Sequence, residues 1–495
     1  MLLSKIKGVP LWLSASVISA CNAIVFGLDT GTIGSVTTMS SFTTTFGNLS
    51  PTLHGLVVSS ILLPGAVTAL VTGILADRYG RTRMIAIGSI IFGIGAALET
   101  AASWLAMFVV GRLFKGVGEG LFLSTVYVHV CEISPARIRG VMASVVQFLI
   151  TLGIVSGFFM CYGTSRLQGS LSWRLPIAIQ ASIAFANGAA CSLLPQSPRW
   201  LQARGLPEDA KKIIDQLGLD EEEKAELLSQ SSSTLSHSPN VPFLQSLKET
   251  AREFREAFSA PFRGRTVFGC FLMGMQQFSG IDGVLYYAPI LLQQAGIASE
   301  HATFLASGVS ALVIMVTTIP ATIFADAWGR KTSTLVGGVL ISVLMLIMGS
   351  LYAAGEVHAT EGAARWVVIV CIYLFAGVYS ATWAIGVRAF LIESLPRKTR
   401  SSAASLGQSS NWLANFVVAL TTPVFIATSS FGAYYFFAFC TMFCTLMAAL
   451  FMFETKGRTL ESIEKKYSEK QARSMGGLKL SCRGFCIRRI EAAST

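Results

Sequence analysis

The chain reads as an all-α membrane protein: twelve transmembrane helices in two six-helix bundles, with a small helical unit between them. Three observations predict this. Of its 495 residues, 52% are hydrophobic and only 13% are charged, about half the charged share of an ordinary soluble domain. Apolar runs of about 20 residues, the length that crosses ~30 Å of hydrocarbon as a helix, recur along the chain. Two charged strings, DRYGRTR at 77–83 and DAWGRKT at 326–332, each fill a turn between two such runs. A charged cassette repeated half a chain apart marks a duplicated membrane bundle.

Taken in order, residues 1–10 are a short polar lead. The runs at 11–32, 53–75, 84–103, 105–130, 140–162 and 174–194 make the first bundle, 11–194. No cleavable leader is expected, because the first run is long and continues into a charged helix. Residues 195–265 lose the apolar runs. DEEEKAELL at 220–228 and LKETAREFREAF at 247–258 predict short amphipathic helices, joined by a Ser-rich link. Runs at 266–292, 302–325, 333–353, 365–392, 402–427 and 431–453 make the second bundle, 266–453, and 454–495 is a basic tail. The halves echo one another beyond the cassette: CEISP at 131–135 returns as IESLP at 392–396, and PQSPRW at 195–200 as FETKGR at 453–458.

The net charge of +11 does not point to nucleic acid. Of the 38 Lys and Arg, ten lie in 195–265 and ten after 453; twelve more occupy the first ten residues and the turns after helices two, four, eight and ten. All these places share one face, and the long turn after helix one carries none. This is the positive-inside pattern, which sets both termini in the cytosol against lipid headgroups. The cysteines are scattered singly through apolar helices as small hydrophobes, and Cys482 and Cys486 in the tail form no metal-ligand set. No cofactor, metal site or enzymatic residue set is expected, since 195–265 holds no phosphate loop, His/Cys cluster or nucleophile elbow. Gly116, Gly118 and Gly120 read as close helix packing, not a dinucleotide loop.

FGLDTG at 26–31, GR at 111–112, DRYGRTR, EISPARIRG at 132–140, QSPRWL at 196–201, QQFSGIDGVLYY at 276–287, DAWGRK and ETKGRTLE at 454–461 occur in this order. Together they resemble the sugar porter branch of the major facilitator superfamily, fungal members most of all. The resemblance runs from about 11 to 465. It implies two six-helix bundles that rock around a central site, a monosaccharide or polyol substrate, coupling to protons, and a multi-pass protein of the plasma membrane.

Ionisable residues at mid-membrane demand a reason. Asp29 in helix one and Arg112 in helix four are expected to face each other, the guanidinium holding the carboxylate; protonating Asp29 would release the pair and couple a proton to a change of shape. Lys115 and Glu119, spaced i,i+4, are expected to neutralise one another within helix four. The resemblance places the substrate on Gln147, Gln276, Gln277 and Asn411, amides that both donate and accept towards hydroxyls, with Phe26 and Trp412 as apolar walls. It makes Tyr286 and Tyr287 the gate at the outer end. At the cytosolic end, Arg78, Arg81, Glu132, Arg139, Asp326, Arg330, Glu393, Arg400 and Glu454 are charges able to lock the halves together. In this chain Gln196 replaces an expected Glu and Ala327 an expected Arg.

Other departures from the family pattern concern the substrate. Asp282 stands where the family has Asn, and Arg388 where it has Trp. Two readings follow: a buried Asp282–Arg388 pair that reshapes a polyol site, or Arg388 clamping the carboxylate of a sugar acid or quinate-like compound. An exporter of a small metabolite and a non-transporting sugar sensor are the alternatives in other classes. The sensor is disfavoured by a tail of only about 40 residues.

Overall fold

The computed structural model describes residues 10–224, 243–260, 262–297, 299–358, 362–396, 399–429 and 431–456. Twelve spans are present. The first six are Leu11–Thr38, Pro51–Tyr79, Arg81–Ala101, Leu105–Ile133, Arg139–Thr164 and Leu171–Ser192. The seventh consists of three pieces, Arg263–Gln277, Ile281–Tyr286 and Ala288–Gln294. The eighth to twelfth are Glu300–Trp328, Arg330–Ala353, Ala364–Ser394 with a break at Thr382, Arg400–Thr428 and Gly432–Phe451.

Ten of these are individually long and apolar enough to cross a membrane. The other two fail for physical reasons tied to function. The fourth carries Arg112, Lys115 and Glu119 in its middle, and the seventh is interrupted at Gly280, whose φ of +88° only glycine adopts readily, and again at Tyr287 before Pro289.

Glycines let spans approach backbone to backbone. A Cβ on Gly27 or Gly31 of the first span would collide with the carbonyls of Ile150 and Ile154 on the fifth. Gly118 abuts Gly88 of the third span, while Gly116 and Gly120 abut Ile61 and Gly65 of the second. The close packing expected of 116–120 is therefore what those residues do. Between the halves, the first span meets the seventh, the second meets the eleventh and the fifth meets the eighth.

The two ends of the bundle differ. Away from the charged turns the halves are pressed together: the carbonyl of Tyr286 occupies the space a Cβ on Gly34 would need, and that of Leu420 does the same at Gly55. Deeper in, the Trp412 ring fills the space above Gly65. The Tyr287 hydroxyl donates to the carbonyl of Ala419 at 2.6 Å, and its ring meets His54 edge-on.

At the charged end the duplicated cassettes have duplicated geometry. Arg81 pairs with Glu132 at 3.3 Å and with Asp77; its counterpart Arg330 pairs with Glu393 at 2.9 Å. Each follows a glycine of positive φ, Gly80 or Gly329. The Gln196 side chain accepts from the Thr82 N–H at 3.3 Å, whereas Glu454 accepts from the N–H groups of Arg330 at 2.7 Å, Lys331 at 3.1 Å and Thr332 at 3.4 Å. Each carbonyl or carboxylate thus caps the N-terminus of a span, where unpaired N–H groups and the helix dipole favour negative charge. Burial works against ionising Glu454, but the N–H donors outweigh it and hold the carboxyl below the usual glutamate range. This cap stabilises fully above the ordinary glutamate value and is lost as pH falls through the lowered one.

Because Gln196 supplies the dipole with no charge, Gln196→Glu should stabilise the protein by about 0.3–1 kcal/mol. Thermal unfolding in detergent at neutral pH checks this, and the gain should vanish in acid.

The helix at 247–258 is present as Phe243–Ala257; of DEEEKAELL, residues 225–228 lie outside the described residues. A helix not anticipated, Pro207–Leu217, carries its own signals: Pro at its start, Glu208 and Asp209 in its first turn, and left-handed Gly218 after its end. It buries Ile214 and Leu217 against Leu11 and Trp12 at the start of the first span.

Candidate functional site

The first constellation lies inside the amino-terminal half. Asp29, Glu99, Arg112, Lys115, Glu119 and Gln180, from the first, third, fourth and sixth spans, are all at most 4% exposed. Arg112 and Lys115 lie three residues apart on one helix face. The guanidinium of Arg112 sits 3.6 Å from Asp29 and donates to the carbonyl of Val58 at 2.8 Å. The expected Asp29–Arg112 encounter is therefore present.

The expected Lys115–Glu119 couple is not. The Lys115 ammonium donates to Asp29 in a short contact, to Glu99 at 3.1 Å and to Gln180 at 3.1 Å, and lies over the Phe92 ring. Three donors on a tetrahedral ammonium are used up on three other helices, so Glu119 is left without its cation. Gln180 in turn donates to Thr32 at 2.6 Å. Oε1 of Glu119 and Oε1 of Glu99 are buried without a hydrogen-bond partner. Sequence reading missed Glu99 and Gln180, although a glutamate inside the apolar run 84–103 was a signal in itself.

The second constellation sits where the seventh, tenth and eleventh spans break or touch. Gln276 donates to the Trp383 carbonyl at 2.9 Å, in the first turn after the break at Thr382, and accepts from Asn411 at 3.1 Å. Asn411 also donates to the Met273 carbonyl at 2.8 Å, and Gln277 donates to Asn411 at 3.2 Å. Asn415, one turn further on, donates to Asp282 at 2.5 Å. Three of the four amides expected to act together, Gln276, Gln277 and Asn411, are thus one connected network with Asn415 added, while Gln147 stands apart from it with Tyr127 and Arg388. Oε1 of Gln277 and Oδ1 of Asn415 remain buried and unpartnered. Phe26 packs half-buried on the core, while Trp412 stands against Gly65 of the other half.

Asp282 and Arg388 form no ion pair within 4.0 Å, so the paired reading of these two is corrected for this conformation. Each is committed to another partner, and the Asp282 carboxylate accepts from Asn415 at 2.5 Å. Arg388 instead reaches across the halves to Gln147 of the fifth span at 3.4 Å, where Tyr127 also donates at 3.3 Å. Its Nε is buried with no partner. Changes at Asp282 and Arg388 should accordingly be additive to within about 0.5 kcal/mol in a double-mutant cycle on apparent affinity; a larger coupling would restore the pair.

The charges assigned to the cytosolic lock are close to their own halves. Glu132 and Glu393 bind Arg81 and Arg330, and Glu454 caps the ninth span. Arg400 donates to the Leu395 carbonyl at 3.2 Å, and the Arg78 carbonyl accepts from Arg204 in a short contact. Arg139 begins the fifth span. The Asp326 side chain lies outside the described residues. The Arg81–Glu132 and Arg330–Glu393 pairs thus each lie within one half, while the opposite end is closed across the halves.

Comparison with known proteins bears on this arrangement. The glucose transporter GlcP of Staphylococcus epidermidis is 29% identical over 457 residues, covering 92% of this chain and 97% of that protein. The sugar transport protein MST3 of Oryza sativa subsp. japonica is 29% identical over 476 residues, covering 90% and 88%. Among solved structures, the proton:xylose symporter XylE bound to 6-bromo-6-deoxy-D-glucose superposes with a TM-score of 0.74 at 24% identity, over 92% of this chain and 99% of that one. It shares the twelve-helix major facilitator fold. The family model described as "Sugar (and other) transporter" matches residues 15–467, and the chain belongs to that family of multi-pass membrane transporters.

Proposed function

We propose that this protein takes up a monosaccharide or polyol together with a proton, by alternating access. The observation that carries the reading is the pairing of two buried constellations, a titratable one in the first half and an amide-rich one in the second, at an interface closed at the end away from the charged turns. Amides suit a polyol because each hydroxyl both donates and accepts. The buried acids supply a place for a proton whose charge matters to helix packing. The names of the relatives, a glucose transporter and a proton:xylose symporter, support the same substrate class and the same coupling. The basic turns support termini in the cytosol, and uptake of a nutrient sugar fits the plasma membrane.

Uptake of labelled hexoses, pentoses, polyols and sugar acids into cells lacking their own transporters tests this reading. Uptake of none of the neutral compounds would overturn it. Gln276→Ala or Asn411→Ala should each raise KM about 5- to 30-fold, equivalent to about 1–2 kcal/mol, because each removes one hydrogen bond from substrate and strands a partner in the network. Unchanged KM values in both, at equal surface expression, would place the substrate elsewhere.

One observation favours a second reading. Arg388, without Asp282 and with its Nε unpartnered, is available to a carboxylate, which a planar guanidinium holds with two parallel hydrogen bonds. Under this reading Arg388→Trp loses sugar acids and gains neutral sugars.

A further inference from the structure

The buried constellation of the first half contains three carboxyls, Asp29, Glu99 and Glu119, and two cations, Arg112 and Lys115, one acid more than its bases can neutralise. The cations are unevenly shared. Asp29 has Oδ1 on Lys115 and Oδ2 facing Arg112, and Glu99 has Oε2 on Lys115. Glu119 makes no ion pair, is 1% exposed, and leaves Oε1 buried without a partner. The other groups around it add no cation. Among the described residues, the second and sixth spans contribute the Val58 carbonyl and Gln180, both uncharged, to the cluster, and the seventh contributes Tyr286, which lies near Asp29 and Glu119.

We propose that Glu119 is a proton-binding residue: the cluster holds one proton, and that proton resides on the Glu119 carboxyl and not on Asp29. Asp29, held by two cations, stays ionised as the fixed partner of Arg112 and Lys115. A proton entering from water converts the Glu119 carboxylate to a neutral acid and brings the cluster from one net negative charge to none. Its departure returns that charge to the protein interior beside Tyr286, the residue whose main chain closes on Gly34. Loading Glu119 therefore favours the closed opposite end, and emptying it favours opening. An uncompensated buried charge is what this arrangement avoids in its loaded form.

The proposal deepens the proton-coupled reading and rests on it for its role in transport, but the binding itself is tested without substrate or gradient. Infrared spectra of the full-length protein in lipid nanodiscs, recorded across a pH titration, report the carbonyl stretch of a protonated carboxyl. The wild type should show one such band at neutral pH. Glu119→Gln should remove it, and Glu119→Asp should shift it, because aspartic and glutamic acids absorb differently; Asp29→Glu should leave it in place. The double change Lys115→Gln with Glu119→Gln leaves two acids with one cation, so a single band should return. Should Glu119→Gln misfold, the Glu119→Asp and Asp29→Glu pair carries the test alone. A wild-type band that moves with Asp29→Glu and not with Glu119→Asp, or no wild-type band at all, overturns the proposal. A band assigned to Glu119 in a protein that never accumulates sugar against a pH gradient would leave the proton site standing and remove the transport reading.

Discussion

Asp29→Asn should collapse sugar accumulation to equality on the two sides of the membrane, while sugar still exchanges down its gradient. A one-unit pH gradient is worth about 1.4 kcal/mol per proton, or about tenfold accumulation at one proton per sugar, and all of that is at stake. The amide keeps the shape of the carboxylate and can still accept from Lys115 and Arg112. What it removes is the odd acid. With Glu99 and Glu119 left against two cations the cluster is already neutral, and no proton is needed to make it so. The measurement is labelled-sugar accumulation with and without a pH gradient, beside counterflow at zero gradient. Undiminished uphill uptake would remove Asp29 from the mechanism.

The second large effect is expected from Gly34→Leu. In this conformation Gly34 lies against the main-chain carbonyl of Tyr286, and even a Cβ would overlap it. Main chain cannot rotate away as a side-chain tip can, so the halves would be wedged apart at this end. Alternating access requires that end to close once per cycle. Both net uptake and exchange should fall to background, unlike the loss of accumulation alone in Asp29→Asn. Alanine at the same position should be nearly as damaging, since the collision begins at Cβ. A cysteine placed at the opposite end, labelled by an impermeant reagent, should become more reactive in Gly34→Leu; unchanged reactivity and transport would mean that Gly34 and Tyr286 never meet.

Much of this was legible in the chain because membranes punish ambiguity. The twelve runs stand out since every buried backbone group must be paired inside a helix, and the charged cassettes stand out against them. Their repeat marked where Arg81 meets Glu132 and Arg330 meets Glu393, although pairs within each half were not anticipated. Partner choice among buried charges was less legible. Spacing within one helix suggested that Lys115 meets Glu119, but a lysine on a four-carbon stem chooses among all acceptors within reach, and three other helices supplied two acids and an amide. The Asp282–Arg388 pairing failed for a related reason: Asn415 of the eleventh span and Gln147 of the fifth supplied each with another partner. Three residues of the amide network were found through the resemblance, whereas Asn415 and the connection to the Trp383 carbonyl follow from how the seventh, tenth and eleventh spans pack.

The central claim is that one proton accompanies one sugar. Its most direct test is purified wild-type protein in sealed liposomes, with a one-unit pH gradient, acid outside, as the sole energy source. The account predicts that sugar rises inside towards about tenfold above the bath and falls back to equality when a protonophore is added. Equal sugar on both sides, with the gradient intact and downhill flux present, would contradict it.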